Sequence, residues 1–414
     1  MLVDLFRKIY KTLNTRVVHG VQKEVMPISE QKAILSAFPE PKDDYERSFY
    51  KYQCFCRYCY YKKNWMLVLY NLGAMVIYPF AFFLFKKRGA SKKKSEISYD
   101  AVVENVPRLR NDDVIPEELA ASFETVKEIE ALDYMSGYLC PKAVEICRIL
   151  KKRYFWSFYF RMIVMIKLAL FSQYLYDYNP KNIVFYSVER EFSGPLQTLL
   201  CEQEGAKYIA FMHGDYLYAL TFAFQKYSHY YTWDEAYNRM FREVKCDCPM
   251  SVYRPKKLSG IAKKLDDHEC KYFATYYFSA ENREKAERIH AVFQSFAKRG
   301  LRCKIRPHPR FSDIPMLQEV FADMDMEDTK NYSLADSITD SVYTIGLNTT
   351  VLSEAFFSGK KVVIDDISSP EEYLELKDKQ YIMLKREHVL LSALVSEITA
   401  CNKYDSSYLF CKEC

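Results

Sequence analysis

The 414-residue chain is 49% hydrophobic and 16% aromatic, with a formal charge of +5. That length is too great for one ordinary core and fits two domains, and the apolar fraction allows a large core. The charge is mild and crowded into one run, residues 86–94 (KKRGASKKK), so no nucleic acid is expected as a partner.

Residues 1–96 read as an N-terminal helical, membrane-associated appendage. Residues 1–14 (MLVDLFRKIYKTLN) are amphipathic and lack an apolar signal-peptide core. Thirteen cysteines without an export signal therefore point to reduced, cytosolic thiols. Cys56/Cys59 and Cys411/Cys414 have zinc-ligand spacing but lie at opposite ends of the chain. Residues 65–85 (WMLVLYNLGAMVIYPFAFFLF) carry no charge and just reach the length that spans a bilayer. Basic residues flank both ends, and Asn71, Gly73 and Pro79 interrupt the run. An interfacial or re-entrant segment with both ends in the cytoplasm is expected, followed by a basic run suited to anionic headgroups.

The expected first globular domain covers 97–260. A strand is predicted over 96–103, mostly helix over 116–150, and a long buried helix over 153–178. Then comes a strand over 182–188, a helix over 193–204 stopped by Gly205, a strand over 207–212, a strand over 227–233 and a helix over 235–242. Residues 245–260 read as a connection to a second domain, 261–414. Its strands are expected at 271–278, 301–305, 341–345 and 361–364, and its helices at 280–299, 315–321, 350–358, 371–376 and 388–399. Strands alternating with helices imply parallel sheets, hence two Rossmann-like α/β domains facing a cleft.

Two strand-to-helix junctions in the second domain carry the chemistry. Arg306-Pro307-His308-Pro309-Arg310 puts a stiffened histidine and two cations at a strand end. Asn348-Thr349-Thr350 opens a helix after Gly346, where free N–H groups and hydroxyls suit a phosphate. Glu354 falls on the same helix face as Thr350 and suits a ribose diol or a base. In the first domain His213-Gly214-Asp215 ends a strand, and His213 or Asp215 could deprotonate an acceptor hydroxyl. Glu189 and Glu191 follow another strand of that domain. Asp234 is expected to cap a helix, and Asp365 and Asp366 to serve as local turn acceptors. No Walker loop, GxGxxG or HExxH is present. The acidic pairs Asp323/Asp325 and Asp266/Asp267 read as helical or solvated, so no metal and no cofactor is expected.

These motifs resemble those of two-domain (GT-B type) bacterial glycosyltransferases of capsule and lipopolysaccharide synthesis. The sialyl-, polysialyl- and Kdo-transferases and the teichoic-acid glycerophosphotransferases are the nearest kinds. The resemblance rests on the His-Pro motif at 306–310, the hydroxyl-rich motif at 348–354, the strand ending in His213-Gly214 and the run YYTWDEAY at 230–237. It covers about residues 97–400. The chain departs from the pattern in its Asn348-Thr349-Thr350, where a Ser-Ser or Ser-Thr pair is common, and in lacking an acidic-acidic-Gly motif. The resemblance implies a CMP- or UDP-linked nucleotide-sugar donor held by Arg306, His308, Arg310, Asn348, Thr349, Thr350 and Glu354. His213, Asp215 or Glu189 would act as base, and a glycan or lipid-linked acceptor would be used at the cytoplasmic membrane. A CDP-polyol phosphotransferase, a nucleotide-sugar epimerase and a non-catalytic membrane-tethered scaffold are the alternatives.

Overall fold

The structure, a computed structural model, describes residues 26–104, 114–129, 136–186, 190–212, 214–255 and 270–400. The chain divides into two compact units, Met1–His213 with Tyr218–Tyr253, and Gly214–Leu217 with Arg254–Cys414. Each is built on a six-stranded sheet that is parallel throughout. The doubly wound α/β class expected from the alternating pattern is what forms.

The first sheet comprises β1 (Ala101–Glu104), β2 (Val126–Ile129), β3 (Asn182–Tyr186), β4 (Lys207–Phe211), β5 (His229–Thr232) and β6 (Met250–Val252), in the order β2-β1-β3-β4-β5-β6. Apolar residues run continuously through β3 and β4 because both faces are covered. Val184 and Tyr186 pack to one side with Ile209 and Phe211. Phe185 turns to the other side and stacks on Phe171.

Residues 26–96 form the expected N-terminal helices. Their helices α1 (Ile28–Ser36), α2 (Asp44–Cys59) and α3 (Trp65–Gly89) are built into the first unit. Buried Lys51 on α2 donates to the carbonyls of Thr221 (2.8 Å) and Ala223 (3.3 Å), and Ser48 donates to Phe192 O at 2.7 Å. The Leu220 N–H donates to Gln31 Oε1 at 2.8 Å. These bonds satisfy carbonyls and an amide that the sheet leaves over.

The stretch expected to be mostly helical over 116–150 breaks into a short helix α4 (Glu117–Ala121), the edge strand β2 and a helix α5 (Pro141–Arg153). Thr125, Val126 and Ile129 favour a strand, and the Asp100 carboxylate fixes its start by accepting the N–H groups of Glu124 (3.1 Å) and Thr125 (3.0 Å). Helix α6 (Phe158–Asp177) is the expected buried core helix. Helix α7 (Gly194–Glu204) ends at Gly205, whose φ of 80° only glycine adopts cheaply. Asp234 caps α8 (Glu235–Glu243), accepting from Ala236 N at 2.7 Å.

The second sheet comprises β7 (Tyr272–Tyr277), β8 (Cys303–Arg306), β9 (Asp325–Met326), β10 (Ser341–Gly346), β11 (Lys361–Ile364) and β12 (Val389–Leu390), in the order β12-β11-β10-β7-β8-β9. Helices cover both faces: α9 (Arg283–Ala297), α10 (Ile314–Val320), α11 (Leu334–Thr339), α12 (Thr350–Phe357), α13 (Pro370–Asp378) and α14 (Leu391–Ala400). The period of two sorts the strand residues. Tyr276, Ile345 and Val363 enter the core with Ile289 and Phe293 of α9. Tyr277, Val362 and Ile364 enter the core with Leu352 and Ala355 of α12.

Candidate active site

An open parallel sheet offers ligands the carboxyl ends of its strands, at the point where consecutive connections leave in opposite directions. In the second unit β7 comes first in the chain and lies inside the sheet. β8 and β9 are added on one side of it, and β10, β11 and β12 on the other. The switch point is therefore between β7 and β10. Register puts Tyr277 beside Arg306 and Gly346 beside Ile364, so these strand ends share one rim.

The loop after β10 supplies one wall. A Cβ on Gly346 would stand 3.0 Å from Thr349 Cγ2 and 3.5 Å from Tyr277 O, so the turn into α12 is tight and any side chain here would press on Thr349. Thr349 is the N-cap of α12, and its hydroxyl accepts the Val351 N–H at a long 3.4 Å. Asn348 is exposed, and Thr349 and Thr350 are half-buried. Uncapped N–H groups at the start of a helix and flanking hydroxyls can hold a phosphate oxygen.

The loop after β8 supplies the other wall, two strand spacings away, or about 10 Å. Its shape is set by hydrogen bonds. The His308 N–H donates to Ser312 Oγ at 2.7 Å, and that hydroxyl donates to Ser279 O at 3.0 Å, tying the loop to the end of β7. His308 Nδ1 accepts the Arg310 N–H at 3.1 Å, which assigns the proton of the neutral ring to Nε2. The imidazole stacks on Phe311 with centroids 4.6 Å apart. Arg310 is exposed.

Two residues expected at the donor site are buried. Arg306 is buried and donates to Glu327 Oε2 at 2.6 Å and to Tyr332 O at 3.0 Å. Lys304 occupies the other Glu327 oxygen at 2.5 Å. The final residue of β8 thus turns into the sheet's own ion pairs, while the loop's outward cation is Arg310. Glu354 is buried within α12, at 8% exposure.

Asp215 belongs to the second unit. Its Oδ1 accepts from Ser353 Oγ at 2.7 Å, and Arg386 donates to the same hydroxyl at 2.8 Å. The Arg386 guanidinium lies over Phe357, 4.5 Å from the ring centroid. Asp215 is therefore built into a relay that fixes α12. Sequence reasoning missed Ser353 and Arg386, and nothing in their local pattern announces a contact with residue 215. His213 and Glu189 lie outside the described residues.

The first unit has its own switch point, between β1 and β3. There the sequence reading stopped one residue short. Glu104 ends β1 half-buried, and burial first, then the Glu191 carboxylate, raise its carboxyl to about 7 against the weaker opposing effects of Lys167 and a Tyr186 backbone hydrogen bond. Lys167 is paired with Glu191. A carboxyl titrating near neutrality at a sheet's carboxyl edge can accept a proton from a hydroxyl. The signal was a charged residue closing an apolar strand, AVVE.

Other candidates resolve into local structure. Asp365 accepts the N–H groups of Ile367 (3.0 Å) and Ser368 (2.9 Å), and Asp366 accepts Ser392 N at 2.9 Å. Asp323 bonds His290 at 2.7 Å, and Asp325 bonds Arg302 at 2.7 Å. Asp266, Asp267, Cys411 and Cys414 lie outside the described residues. Burial pushes the thiols of Cys54 and Cys59 up to about 12, so both are protonated at neutral pH. Among the described residues no three His, Cys, Asp or Glu side chains gather as metal ligands would.

No family model matches the chain, and no curated protein matches it in sequence. Among solved structures it is similar to the wall teichoic acid polymerase TagF soaked with CDPG, at 10% identity and a TM-score of 0.43, covering 84% of this chain and 90% of that one. It is also similar to the Methanocaldococcus jannaschii UDP-GlcNAc 2-epimerase in complex with UDP-GlcNAc and UDP, at 10% identity and a TM-score of 0.42, covering 73% and 92%. The sucrose-phosphate synthase of Thermosynechococcus elongatus is similar at 12% identity and a TM-score of 0.39, covering 72% and 88%. Likeness this low assigns no activity to the chain, and the α/β class rests on the two parallel sheets themselves.

Proposed function

We propose that the chain is a metal-independent glycosyltransferase. It moves a sugar from a nucleotide-sugar donor, CMP- or UDP-linked, to a cell-surface glycan or lipid-linked acceptor at the cytoplasmic face of the membrane. One observation carries the donor half. The His308–Arg310 loop and the Asn348–Thr350 helix start stand on one rim of the second sheet, on either side of β7. They offer an imidazole, a guanidinium, hydroxyls and helix N–H groups to an anion. Such preset donors stabilise the charge that a departing nucleotide phosphate gathers.

In this reading His308 Nε2 donates to the phosphate, Arg310 neutralises it, and the first N–H groups of α12 hold the remaining oxygens. Asp215 positions α12 through Ser353. The acceptor's proton goes to His213 or to a carboxylate of the first unit, Glu104 or Glu189.

The test is a thermal-shift screen of the full chain against CMP, CDP, UDP and GDP and their sugar conjugates, because residues 26–96 are integral to the first unit. A nucleotide that binds only the folded state raises Tm by mass action. Stabilisation by one nucleotide, lost in His308→Ala, supports the reading and names the donor class. Sugar release to acceptor separates transfer from epimerisation, and release of a polyol phosphate instead identifies the phosphotransferase. No shift with any nucleotide sinks the enzyme reading and leaves a scaffold.

A further inference from the structure

Helix α3 is apolar all round, yet only one side of it is covered. Ala74, Tyr78, Phe85 and Gly89 face inward. On that side Tyr70 stacks on Tyr159 at 5.4 Å, and Arg161 of α6 lies over the Tyr78 ring at 4.4 Å. The outward side carries Trp65, Val68, Leu69, Leu72, Val76, Phe80 and Phe83, all exposed, with Val76 at 74%. Their spacing of three and four residues makes one continuous stripe. Residues 65–85 bring no charge to it. The turn between α5 and α6 extends the patch with Phe155 and with Trp156, which is 76% exposed. An apolar surface of this extent calls for a covering.

Charge says what covers it. Lys62 and Lys63 stand at one end of α3, and exposed Lys86 and Lys87 at the other. Exposed Lys151 and Lys152 precede the Phe155–Trp156 turn, and exposed Lys93 follows α3. Lys92 and Lys94 are drawn back to Asp177 and Glu204 and contribute less. Apolar residues bracketed by lysines, with tryptophans at the margins, match the layering of an anionic bilayer surface.

Hydrogen bonds fix the helix's orientation within its unit. Asn71 donates to Trp156 O at 2.9 Å and accepts the Tyr159 N–H at 3.1 Å. Near the other end Phe85 O accepts the Leu139 N–H at 3.1 Å, and a Cβ on Gly89 would fall 2.0 Å from Leu139 O. Both ends of α3 are thus held to the same unit, against α6, whose Phe171 packs on Phe185 and Tyr208 of the sheet. A spanning α3 would take α6 and a sheet's helical layer into hydrocarbon with it.

We propose that α3 and the Phe155–Trp156 turn form a monotopic dock. The helix lies in the plane of an anionic phospholipid surface with its outer stripe among the acyl chains and its lysines at the headgroups. This is independent of the transfer reaction.

The three tryptophans of the chain make the test direct. Trp65 and Trp156 lie on the proposed dock, and Trp233 is buried. The full chain is mixed with vesicles of phosphatidylcholine alone, and of phosphatidylcholine and phosphatidylglycerol in equal parts, with brominated acyl chains. Expected are flotation with the anionic vesicles and quenching of Trp65 and Trp156, read separately in Trp156→Phe and Trp65→Phe, with Trp233 unquenched. The triple variant Leu72→Gln, Val76→Gln, Phe80→Gln should lose both at unchanged Tm, because those side chains touch little protein. Replacing Lys86, Lys87 and Lys93 by Gln should weaken binding to anionic vesicles about a hundredfold, at about fivefold for each charge. Absence of binding, or quenching that survives the triple variant, overturns the dock. Self-association without lipid that the triple variant abolishes would assign the stripe to a second copy. Quenching strongest from bromines at the bilayer centre would indicate insertion across the membrane.

Discussion

Glu104→Gln isolates one ionisation in the first unit. Folding takes this carboxyl from its ordinary 4.5 to about 7, first by burial and then by the Glu191 charge. A raised carboxyl means that the folded state binds more protons than the unfolded state between those two values. Stability due to this group is therefore complete below pH 4.5 and is lost as pH rises to about 7. At roughly 1.36 kcal/mol for each pH unit of displacement, the loss amounts to about 3 kcal/mol, and about 2 kcal/mol once partial access to water is allowed for. Glutamine keeps the shape without the charge, so the variant should equal the parent near pH 4.5 and exceed it by about 2 kcal/mol above pH 7. Urea unfolding followed by tryptophan emission reads this unit alone, since Trp65, Trp156 and Trp233 all belong to it. Parallel pH profiles for parent and variant would falsify the account. A variant weaker than the parent above pH 7 would mean that Lys167, beside the pair, outweighs desolvation.

The remaining expectations concern the second unit. His308→Ala should cut kcat by roughly a hundredfold or more, the cost of one preset donor, with an unchanged urea midpoint; full kcat in a folded variant removes His308 from the site. Arg306→Ala should behave oppositely, destabilising by about 3 kcal/mol through loss of a buried partner of Glu327 and Tyr332, as read by differential scanning calorimetry. Ser353→Ala and Asp215→Asn should each cost about 1–2 kcal/mol and weaken nucleotide binding alike if Asp215 acts by holding α12. A far greater loss of turnover in Asp215→Asn at intact nucleotide affinity would make it the base instead.

The class of fold was legible because parallel strands covered on both faces leave continuous apolar runs, as in NIVFY and KYIAF. The edge strands were not legible. β2 reads VKEI and is paired only at β1, so its apolar content is that of a loop or a helix, and its start is set by Asp100 from elsewhere in the chain. The site divides in the same way. The Gly346 turn and the stiff His308 loop follow from local residues. Which cation faces outward does not, because the partners that draw Arg306 at the end of β8 inward lie at β9's far end and in the following loop. Glu327 and Tyr332, some twenty residues on, claim it. Asp215 shows the same limit from the other side. A carboxylate after a strand is a candidate base until a distant serine, itself held by an arginine, engages it. Spacing thus reports which side chains reach a rim, and the ion pairs formed across the fold then decide which of them remain there for a ligand.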